Sequence, residues 1–428
     1  MTATFSFVKI KNMSGSRQKI YLDYAATTPM DSAVFEAMKP YFCEEFGNAS
    51  STHWFGQRAR QAVEKARGQM AEFLGCAPEE VIFTSGATES NNLAIKGVIY
   101  NRVNRLGNRT NNLPHIITSK IEHHCVLDTC QNLSKNRLAE VTFLPVDKEG
   151  IVNVAQLKKA IKRHTILVSI MYANNEIGTI QPIEEIGAEI KKINNQRSPV
   201  DKIFFHVDAV QAANYLDCRV DKLGIDLMSF SGHKFYGPKG VGALYIRKGT
   251  PLSRIQDGGA QEYGLRAGTY NTPGIVGMGE AIARVVKNRT QTRNIQKLRD
   301  KLINGVLKNI PNSKLNGSRE KRLANNANFS FPGAEGESIM MALDLAGFAV
   351  STGSACASEN LQPSHVLTAL GLPAEESHTS IRVTLGKYTS EKDIDKFLAA
   401  LKKVVERLRS ISGIKQKEKK KLTDDFGC

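Results

Sequence analysis

Residues 226–240 have the sequence DLMSFSGHKFYGPKG, an apolar run followed by two turns rich in glycine. The run predicts a short strand over residues 226–230, because strands buried on both faces are almost continuously apolar. The first turn follows directly and ends at Lys234, so this lysine lies on a loop at the carboxyl end of a strand. Ligands of open α/β sheets bind at that edge. An amine there can form a Schiff base with an aldehyde cofactor; a surface lysine is the alternative that this motif leaves open.

Similar apolar runs recur along the chain and alternate with amphipathic stretches such as residues 57–74, whose apolar positions have helical spacing. This alternation predicts an α/β fold with a mainly parallel sheet covered by helices. The predicted strands cover residues 81–84, 115–118, 165–171, 203–207, 226–230 and 241–246.

The chain has 428 residues, which favours more than one domain. From about residue 291 a different pattern predicts a smaller α+β domain, with strands at 328–331 and 381–385, a helix at 337–346 and a last helix from residue 391. The predicted organisation is an extension at 1–19, a large cofactor-binding domain at 31–288, a small domain from 20–30 and 289–412, and a Lys-rich tail at 413–428.

Composition limits the partners and the compartment. The net charge is +16, but the basic residues are dispersed and accompany no nucleic-acid motif, so no nucleic acid is expected as a partner. The seven cysteines are irregularly spaced and no apolar run is long enough for a bilayer, which predicts a soluble, cytoplasmic protein without disulfides or membrane contact. Residues 1–19 carry basic and no acidic residues, so a transit peptide and the mitochondrial matrix are the alternative.

Polar residues follow the other predicted strands. Asp208 ends the run at 203–207, three residues before Gln211. A carboxylate there can keep a pyridinium nitrogen protonated, and an amide can donate to a phenolic oxygen. His206 and Asp208 also resemble a pair of metal ligands, although no third ligand stands close in the sequence.

Two further motifs follow strands at the same edge. Residues 85–89, SGATE, include Ala87 and Thr88 and predict a phosphate-binding turn before a helix that begins near Asn91. The turn lacks the ending of a nucleotide P-loop. Residues 122–125, EHHC, place His123 where it can stack on a flat ring and move protons. A zinc site is the alternative, but adjacent residues do not easily converge on one tetrahedral ion.

Two residues are candidates for substrate chemistry, and one further segment follows a predicted strand. Arg382 lies in an apolar strand, where it must face an anion such as a substrate carboxylate or form a structural salt bridge. Asn175 belongs to the segment 174–178 that follows the strand at 165–171. Cys356 lies in a small-residue stretch, 353–363, where a loop can carry a thiol to a cofactor; an inert buried cysteine is the alternative.

Jointly these motifs resemble the pyridoxal phosphate-dependent cysteine desulfurases of the iron-sulfur cluster assembly group, within the class V aminotransferase family. The resemblance covers roughly residues 20–408 and includes DYAATTP at 23–29 and GSAC at 353–356. It implies the fold of the fold type I pyridoxal phosphate-dependent transferases and pyridoxal 5'-phosphate as the cofactor.

The resemblance also implies a role for each matching residue. Lys234 would hold the cofactor and move the α-proton of the substrate, and Cys356 would attack the sulfur of L-cysteine, which becomes a persulfide and leaves L-alanine. The remaining cofactor-binding residues would be Asp208 at the pyridine nitrogen, Gln211 at the phenolic oxygen, His123 stacked on the ring as a further catalytic residue, and Ala87, Thr88, Ser231, His233 and Asn175. Asn175 and Arg382 would bind the carboxylate of L-cysteine.

The implied partners follow from the same family. Thr269 matches a residue that reaches the cofactor phosphate of the neighbouring subunit, so a homodimer is implied. The sulfur acceptor would be an iron-sulfur scaffold protein or another acceptor. No resident metal is expected, since a cluster would only transiently be bound by the persulfide of Cys356.

The chain also departs from the family pattern. An alanine stands at position 267 in place of the family's serine, residues 258–263 read GGAQEY, and the tail is Lys-rich, which leaves the acceptor open. A selenocysteine lyase or an aminotransferase of the same fold, and an idle scaffold, are the competing hypotheses. The presence of Cys356 argues against the first two, and the presence of Lys234 and Cys356 argues against the third.

Overall fold

The computed structural model describes residues 19–106, 113–288, 290–352 and 362–411, and a seven-stranded sheet lies at its centre. The strands among these residues are β1 (Ile20–Tyr21), β2 (Val81–Thr84), β3 (His115–Ser119), β4 (Glu140–Leu144), β5 (Thr165–Ser169), β6 (Phe204–Asp208), β7 (Leu227–Ser231), β8 (Gly242–Ile246), β9 (Lys314–Leu315), β10 (Asn326–Ser330), β11 (Phe348–Ala349) and β12 (Ser380–Thr384). The central sheet has the order β2-β8-β7-β6-β5-β3-β4. Strand β8 is antiparallel to both of its neighbours and the other pairs are parallel, which confirms the predicted mainly parallel α/β sheet.

Helices cover the sheet. In the described part of the chain they are α1 (Ser32–Met38), α2 (Pro40–Cys43), α3 (Trp54–Leu74), α4 (Ala87–Leu106), α5 (His124–Lys135), α6 (Val154–Ala160), α7 (Ile183–Asn194), α8 (Val220–Leu223), α9 (Thr272–Lys287), α10 (Gln291–Asn309), α11 (Gly336–Leu345), α12 (His365–Ala369), α13 (Ala374–Ser377) and α14 (Glu391–Ile411). No helix among these residues is both long enough and apolar enough to cross a membrane.

The ends and the buried face of helix α3 follow from its local sequence. His53 caps its start by accepting a hydrogen bond from the backbone N–H of Gly56, and Gly75 ends it in the left-handed conformation, with φ of 68°. The predicted apolar positions form one buried face of the helix, namely Ala59, Val63, Ala66, Met70 and Phe73. This face packs mainly against α9.

The central strands are buried on both faces. In β6, Phe205 belongs to one apolar cluster while its neighbour Phe204 belongs to another, and Met228 and Leu227 in β7 alternate in the same way. Because successive side chains of a strand point to opposite faces, the sheet separates these two clusters. Polar side chains that must meet a ligand are therefore restricted to the strand ends.

A second, three-stranded antiparallel sheet has the order β12-β10-β9 and its own apolar core, which contains Phe329, Ile339 and Phe397. Strand β1 pairs in parallel with β11, with Ile20 opposite Phe348, so the segment after residue 19 contacts this second core. The division of the chain into domains at residues 31, 289 and 413 stays a prediction.

A buried ion pair attaches the segment around Glu262 to the core. Arg67 on α3 is only 1% exposed and donates from Nη1 to Oε2 of Glu262 at 2.7 Å and from Nη2 to Oε1 at 2.9 Å. The same Oε2 accepts from the backbone N–H of Phe83 on β2 at 3.0 Å. Glu262 and Tyr263 both have positive φ, 45° and 57°, a strained conformation that the surrounding contacts must enforce. The pair therefore fixes this turn against α3 and β2.

Replacing Glu262 by glutamine should lower the free energy of unfolding by about 3 kcal/mol, because the buried guanidinium of Arg67 then keeps only the partly exposed carboxylate of Glu64 as a compensating charge. Urea denaturation of the variant and the parent protein measures this difference. The control is Arg219→Gln, which removes the exposed ion pair with Asp217 and should leave the unfolding midpoint unchanged. Equal shifts in the two variants would contradict the role of the buried pair.

Candidate active site

Six strands of the central sheet end at the same edge. Strands β3, β4, β5, β6 and β7 are parallel, and β2 runs in their direction because β8 lies antiparallel between β2 and β7. A cavity of about 660 Å³ lies at this edge. Its walls come from the segments that end or follow these strands, at 85–89, 123–125, 171–176, 208–211 and 231–234. The cavity therefore occupies the position at which open α/β sheets bind ligands.

Lys234 stands in the cavity wall on a short turn after β7. Its Nζ donates to the backbone carbonyls of Ala25 at 2.6 Å and of Ala26 at 2.7 Å. These carbonyls belong to the N-terminal segment, more than 200 residues away in the sequence. They hold the amine at the cavity in a defined position.

Asp208 is the last residue of β6 and is 6% exposed. Its Oδ2 accepts from Nδ2 of Asn91 at 2.7 Å, and its Oδ1 accepts from the backbone N–H of Val210 at 3.0 Å. Hydrogen bonds to both oxygens favour the charged form of a buried carboxylate. Asp208 thus supplies a fixed negative charge in the cavity wall.

The turn that was predicted to bind a phosphate precedes a helix, and this helix starts earlier than predicted. Helix α4 begins at Ala87 and not near Asn91, so Ala87 and Thr88 lie in its first turn, where backbone N–H groups lack partners within the helix. Both residues line the cavity. Ser231 and His233, at the end of β7, line it as well. Burial, and then the charges of two lysines, lower the pKa of His233 to about 4, so its ring is neutral near pH 7.

Arg382 reaches the cavity from the second sheet, on β12. Its Nη1 donates to the carbonyl of Asn175 at 3.0 Å, and its Nη2 donates to Oδ1 of Asp23 at 2.8 Å. Its Nε is buried and has no hydrogen-bond partner among the residues that the structure describes. A buried donor in this state is costly unless a ligand satisfies it, so the site suits an anion. The salt bridge that the sequence left open as an alternative is also present, with Asp23.

Gln211 and Thr269, two further predicted cofactor residues, line two different cavities. Gln211 lines the cavity, but its Nε2 donates to the carbonyl of Ala25 at 3.0 Å. Thr269 does not line this cavity; it lies in a smaller one of about 150 Å³, which shares Ser85 and Gly240 with the first.

Cys356 lies outside the described residues, as does all of the segment 353–361. The residues on its two sides are described. Ser351 forms two backbone hydrogen bonds with Arg382, at 2.7 and 3.2 Å, and Gln362 and Pro363 line the cavity. The described residues on both sides of this segment therefore lie at the candidate site or are bonded to it.

The two metal interpretations of the sequence lack support in the described residues. His206 uses both ring nitrogens in hydrogen bonds, Nδ1 to Ser169 Oγ at 2.8 Å and Nε2 to Ser229 Oγ at 3.0 Å, so it does not form a ligand pair with Asp208. Nowhere in the described ranges do three histidine, cysteine, aspartate or glutamate side chains form a metal-binding group.

Several residues that line the cavity or support its wall were not identified from the sequence. Asn91 lies one helical turn after Ala87 and therefore on the same face of α4. A prediction with the correct helix start would have placed Asn91 on the face that carries Ala87. Cys125 was considered only within the zinc alternative, yet it lines the cavity. Burial raises the pKa of Glu176 to about 7, and its Oε2 accepts from Oγ of Ser364 at 2.5 Å; a single sequence carries no signal for that contact.

These residues fit pyridoxal 5'-phosphate. The cavity combines a lysine amine, a buried carboxylate on the neighbouring strand, and the first turn of a helix for a phosphate. With a mainly parallel sheet behind them, they define a fold type I pyridoxal phosphate-dependent enzyme.

Comparison with known proteins identifies the family. A model described as aminotransferase class-V matches residues 20–397. The cysteine desulfurase IscS of Dictyoglomus turgidum is 51% identical over 404 residues, which cover 94% of this chain and 98% of that protein. The chain belongs to the cysteine desulfurases of the aminotransferase class-V family.

Solved structures agree with this assignment. A NifS-like protein has a TM-score of 0.82 and 38% identity, and the match covers 91% of this chain and 100% of the other. A structure of SspA in complex with cysteine has a TM-score of 0.73 and 38% identity, and the match covers 87% of this chain and 100% of the other.

Replacing Asn91 by alanine should weaken the binding of pyridoxal phosphate by roughly 10-fold, because Oδ2 of Asp208 loses a hydrogen bond that stabilises its charge. Titration of the cofactor-free protein with pyridoxal phosphate measures this affinity. The control is Asn136→Ala, which removes an amide that bonds Asn132 at the end of α5 and is not part of the cavity wall. Parent-like affinity in Asn91→Ala would exclude this supporting role.

Proposed function

We propose that this cysteine desulfurase transfers the sulfur of L-cysteine to Cys356 as a persulfide, leaves L-alanine, and passes the sulfur to an acceptor. The observation that carries this proposal is that Lys234, Asp208 and Arg382 line one cavity. An amine, a carboxylate and a guanidinium therefore face the same ligand.

Pyridoxal phosphate, when bound, supplies a ring that withdraws electrons from an attached amino acid. Lys234 holds it through Nζ and then moves the α-proton of the substrate. Asp208 keeps a proton on the ring nitrogen, since its own charge is stabilised by Asn91 and the N–H of Val210. Gln211 has a second amide hydrogen for the phenolic oxygen besides the one that it donates to Ala25.

The remaining contacts to the cofactor come from the cavity wall. His123 would stack on the ring, and Asn175 would contact the cofactor as well as the substrate. The start of α4, where backbone N–H groups favour an anion, would hold the phosphate together with Ala87, Thr88, Ser231 and His233.

Arg382 and Asn175 bind the carboxylate of L-cysteine. The Nη atoms of Arg382 already have partners, whereas its Nε has none among the described residues. A carboxylate oxygen at Nε completes the hydrogen bonding of the guanidinium, and such charge-assisted bonds are short and strong. The carboxylate is thereby fixed at the part of the cavity wall that β12 supplies.

Cys356 is the sulfur acceptor within the protein. Its thiolate forms a bond to the substrate sulfur while the carbon–sulfur bond breaks, so that L-cysteine and a protein thiol yield L-alanine and a protein persulfide. No external oxidant is required. Support comes from the flanking residues, because Ser351 is bonded to Arg382 and Gln362 lines the cavity.

A homodimer is the proposed assembly. An exposed aromatic cluster consists of Phe46, Trp54 and Phe55, which are 64%, 59% and 45% exposed. The ring centroid of Phe55 lies 5.5 Å from that of Phe46 and 4.9 Å from that of Trp54. Contiguous exposed aromatic side chains are typical of protein–protein contacts. In such a dimer, the family resemblance implies that Thr269 would contact the cofactor phosphate of the second copy.

The acceptor is proposed to be an iron-sulfur scaffold protein or another sulfur acceptor, and the location the cytoplasm. Cys43, Cys76, Cys125 and Cys130 are free thiols, which agrees with a reducing compartment.

Replacing Cys356 by serine should preserve the visible absorbance of the lysine-bound cofactor and reduce sulfide release by at least about 100-fold, because the nucleophile is lost while the cofactor site remains. Absorbance spectra, together with sulfide and alanine measured in the presence of a thiol reductant, test both effects.

Two variants accompany this experiment. Lys234→Ala should lose the absorbance altogether, and Cys43→Ser, which alters an exposed cysteine, should behave as the parent protein. Full sulfide release by Cys356→Ser would remove the proposed nucleophile, and an unchanged spectrum of Lys234→Ala would remove the proposed cofactor lysine.

Replacing both Phe46 and Trp54 by glutamate should convert the dimer into monomers, since charges do not tolerate burial in an apolar interface. Sedimentation velocity measures the mass, with Val200→Glu as the control, an exposed apolar residue outside the cluster. A parent-like mass of the double variant would show that this surface is not the interface.

A further inference from the structure

Cys125 is a thiol at the cavity that the proposed function does not use. It lies two residues after His123 in the first turn of α5 and lines the cavity. Burial raises the pKa of this thiol far above its ordinary value, and the negative charge of Asp208 acts in the same direction. The group is therefore a neutral S–H, which is a weak nucleophile but a hydrogen-bond donor.

Two groups of Cys125 contact Nδ1 of His123. The backbone N–H donates to it at 3.2 Å, as the capping bond of α5, and Sγ lies 3.0 Å from it. A backbone N–H can only donate, so Nδ1 is the acceptor and carries no hydrogen. The S–H is consequently the donor in the second contact. A neutral imidazole then has its hydrogen on Nε2.

Asn91 orients the thiol from the other side. Its Nδ2 lies 2.7 Å from Oδ2 of Asp208 and 3.0 Å from Sγ of Cys125. The carboxylate accepts one amide hydrogen and the sulfur accepts the other. Asn91 thus donates a hydrogen bond to Sγ of Cys125, and Cys125 donates its S–H to Nδ1 of His123. Each hydrogen in this chain of hydrogen bonds has one acceptor.

We propose that Cys125 is a positioning residue that, together with the capping bond, holds His123 as a neutral imidazole with its hydrogen on Nε2. Protonation of Nδ1 would break both bonds. In the reaction, where this role rests on the proposed function, the hydrogen on Nε2 is the one that His123 has available for the bound ligand.

The charged groups around the ring agree with a neutral imidazole. Burial is the largest influence and lowers the pKa of His123, and Lys234 and His124 lower it further, while Asp208 and Asp128 act in the opposite direction. From the neighbouring elements, Glu122 has a pKa raised to about 8 by burial and is neutral near pH 7, and burial lowers the pKa of His365 on α12.

The first test is the protonation state of His123 in the cofactor-bound protein. Long-range proton–nitrogen NMR spectra of protein labelled with ¹⁵N-histidine distinguish a ring nitrogen that carries hydrogen from one that does not, and the signals missing from His123→Gln identify this residue. The expected result is a hydrogen on Nε2 and none on Nδ1 between about pH 6 and about pH 8. A hydrogen on Nδ1, in either the neutral or the charged ring, would overturn the proposal.

The second test isolates the thiol. Removing a donor to Nδ1 destabilises the neutral ring, so Cys125→Ala should raise the pKa of His123 by about 0.5 to 1 unit. Cys125→Ser keeps a donor and should titrate as the parent protein. Cys130→Ala, which removes a buried thiol on the same helix, is the matched control and should also leave the titration unchanged. The role of Cys125 is refuted if the alanine variant titrates as the parent protein or if the serine variant titrates as the alanine variant.

These measurements do not depend on turnover. Failure of sulfur transfer to Cys356 would leave the protonation state of His123 intact, and a hydrogen on Nδ1 would leave sulfur transfer to be measured independently.

Discussion

The parallel pairing of β6 with β7 is the constraint from which the cavity follows. Asp208 stands opposite Ser229 in this pairing, and both strands are buried along their whole length. Because apolar side chains occupy both faces of the sheet, a charged group is accommodated only where a strand ends. Parallel strands place those ends side by side, which brings the carboxylate of Asp208 and the turn of Lys234 to one cavity.

Each charge at this edge is compensated by neighbouring polar groups. Lys234 contacts two carbonyls, Asp208 accepts from an amide and a backbone N–H, and Arg382 contacts Asp23 and a carbonyl. Such contacts remove the penalty of burial and also fix the position of each group. The cavity is therefore organised before any ligand binds, and Nε of Arg382 marks a position where a ligand can complete the hydrogen bonding.

Much of this architecture was predictable because its signals are local. The strands and helices follow from apolar runs and from helical spacing, and the predicted α/β fold is confirmed. The predicted start of α4 was wrong, because the polar residues of its first turn do not show the apolar period of the helix. With the start placed near Asn91, the contact of this residue with Asp208 could not be predicted. The contact between Cys125 and His123 was also not predicted. It depends on the capping geometry at the start of α5, which no pattern of residue spacing reveals.

The sequence by itself determined the residue types at the strand ends and the order of strands and helices, because periodicity and turn chemistry act over a few residues. Only the tertiary structure decided which of these residues meet. Asn91 and Asp208 are 117 residues apart in the chain, and Arg382 and Asp23 are 359 apart. Such contacts are set by the packing of whole sheets and helices, whose burial of apolar surface outweighs any local preference of the polar residues that they bring together.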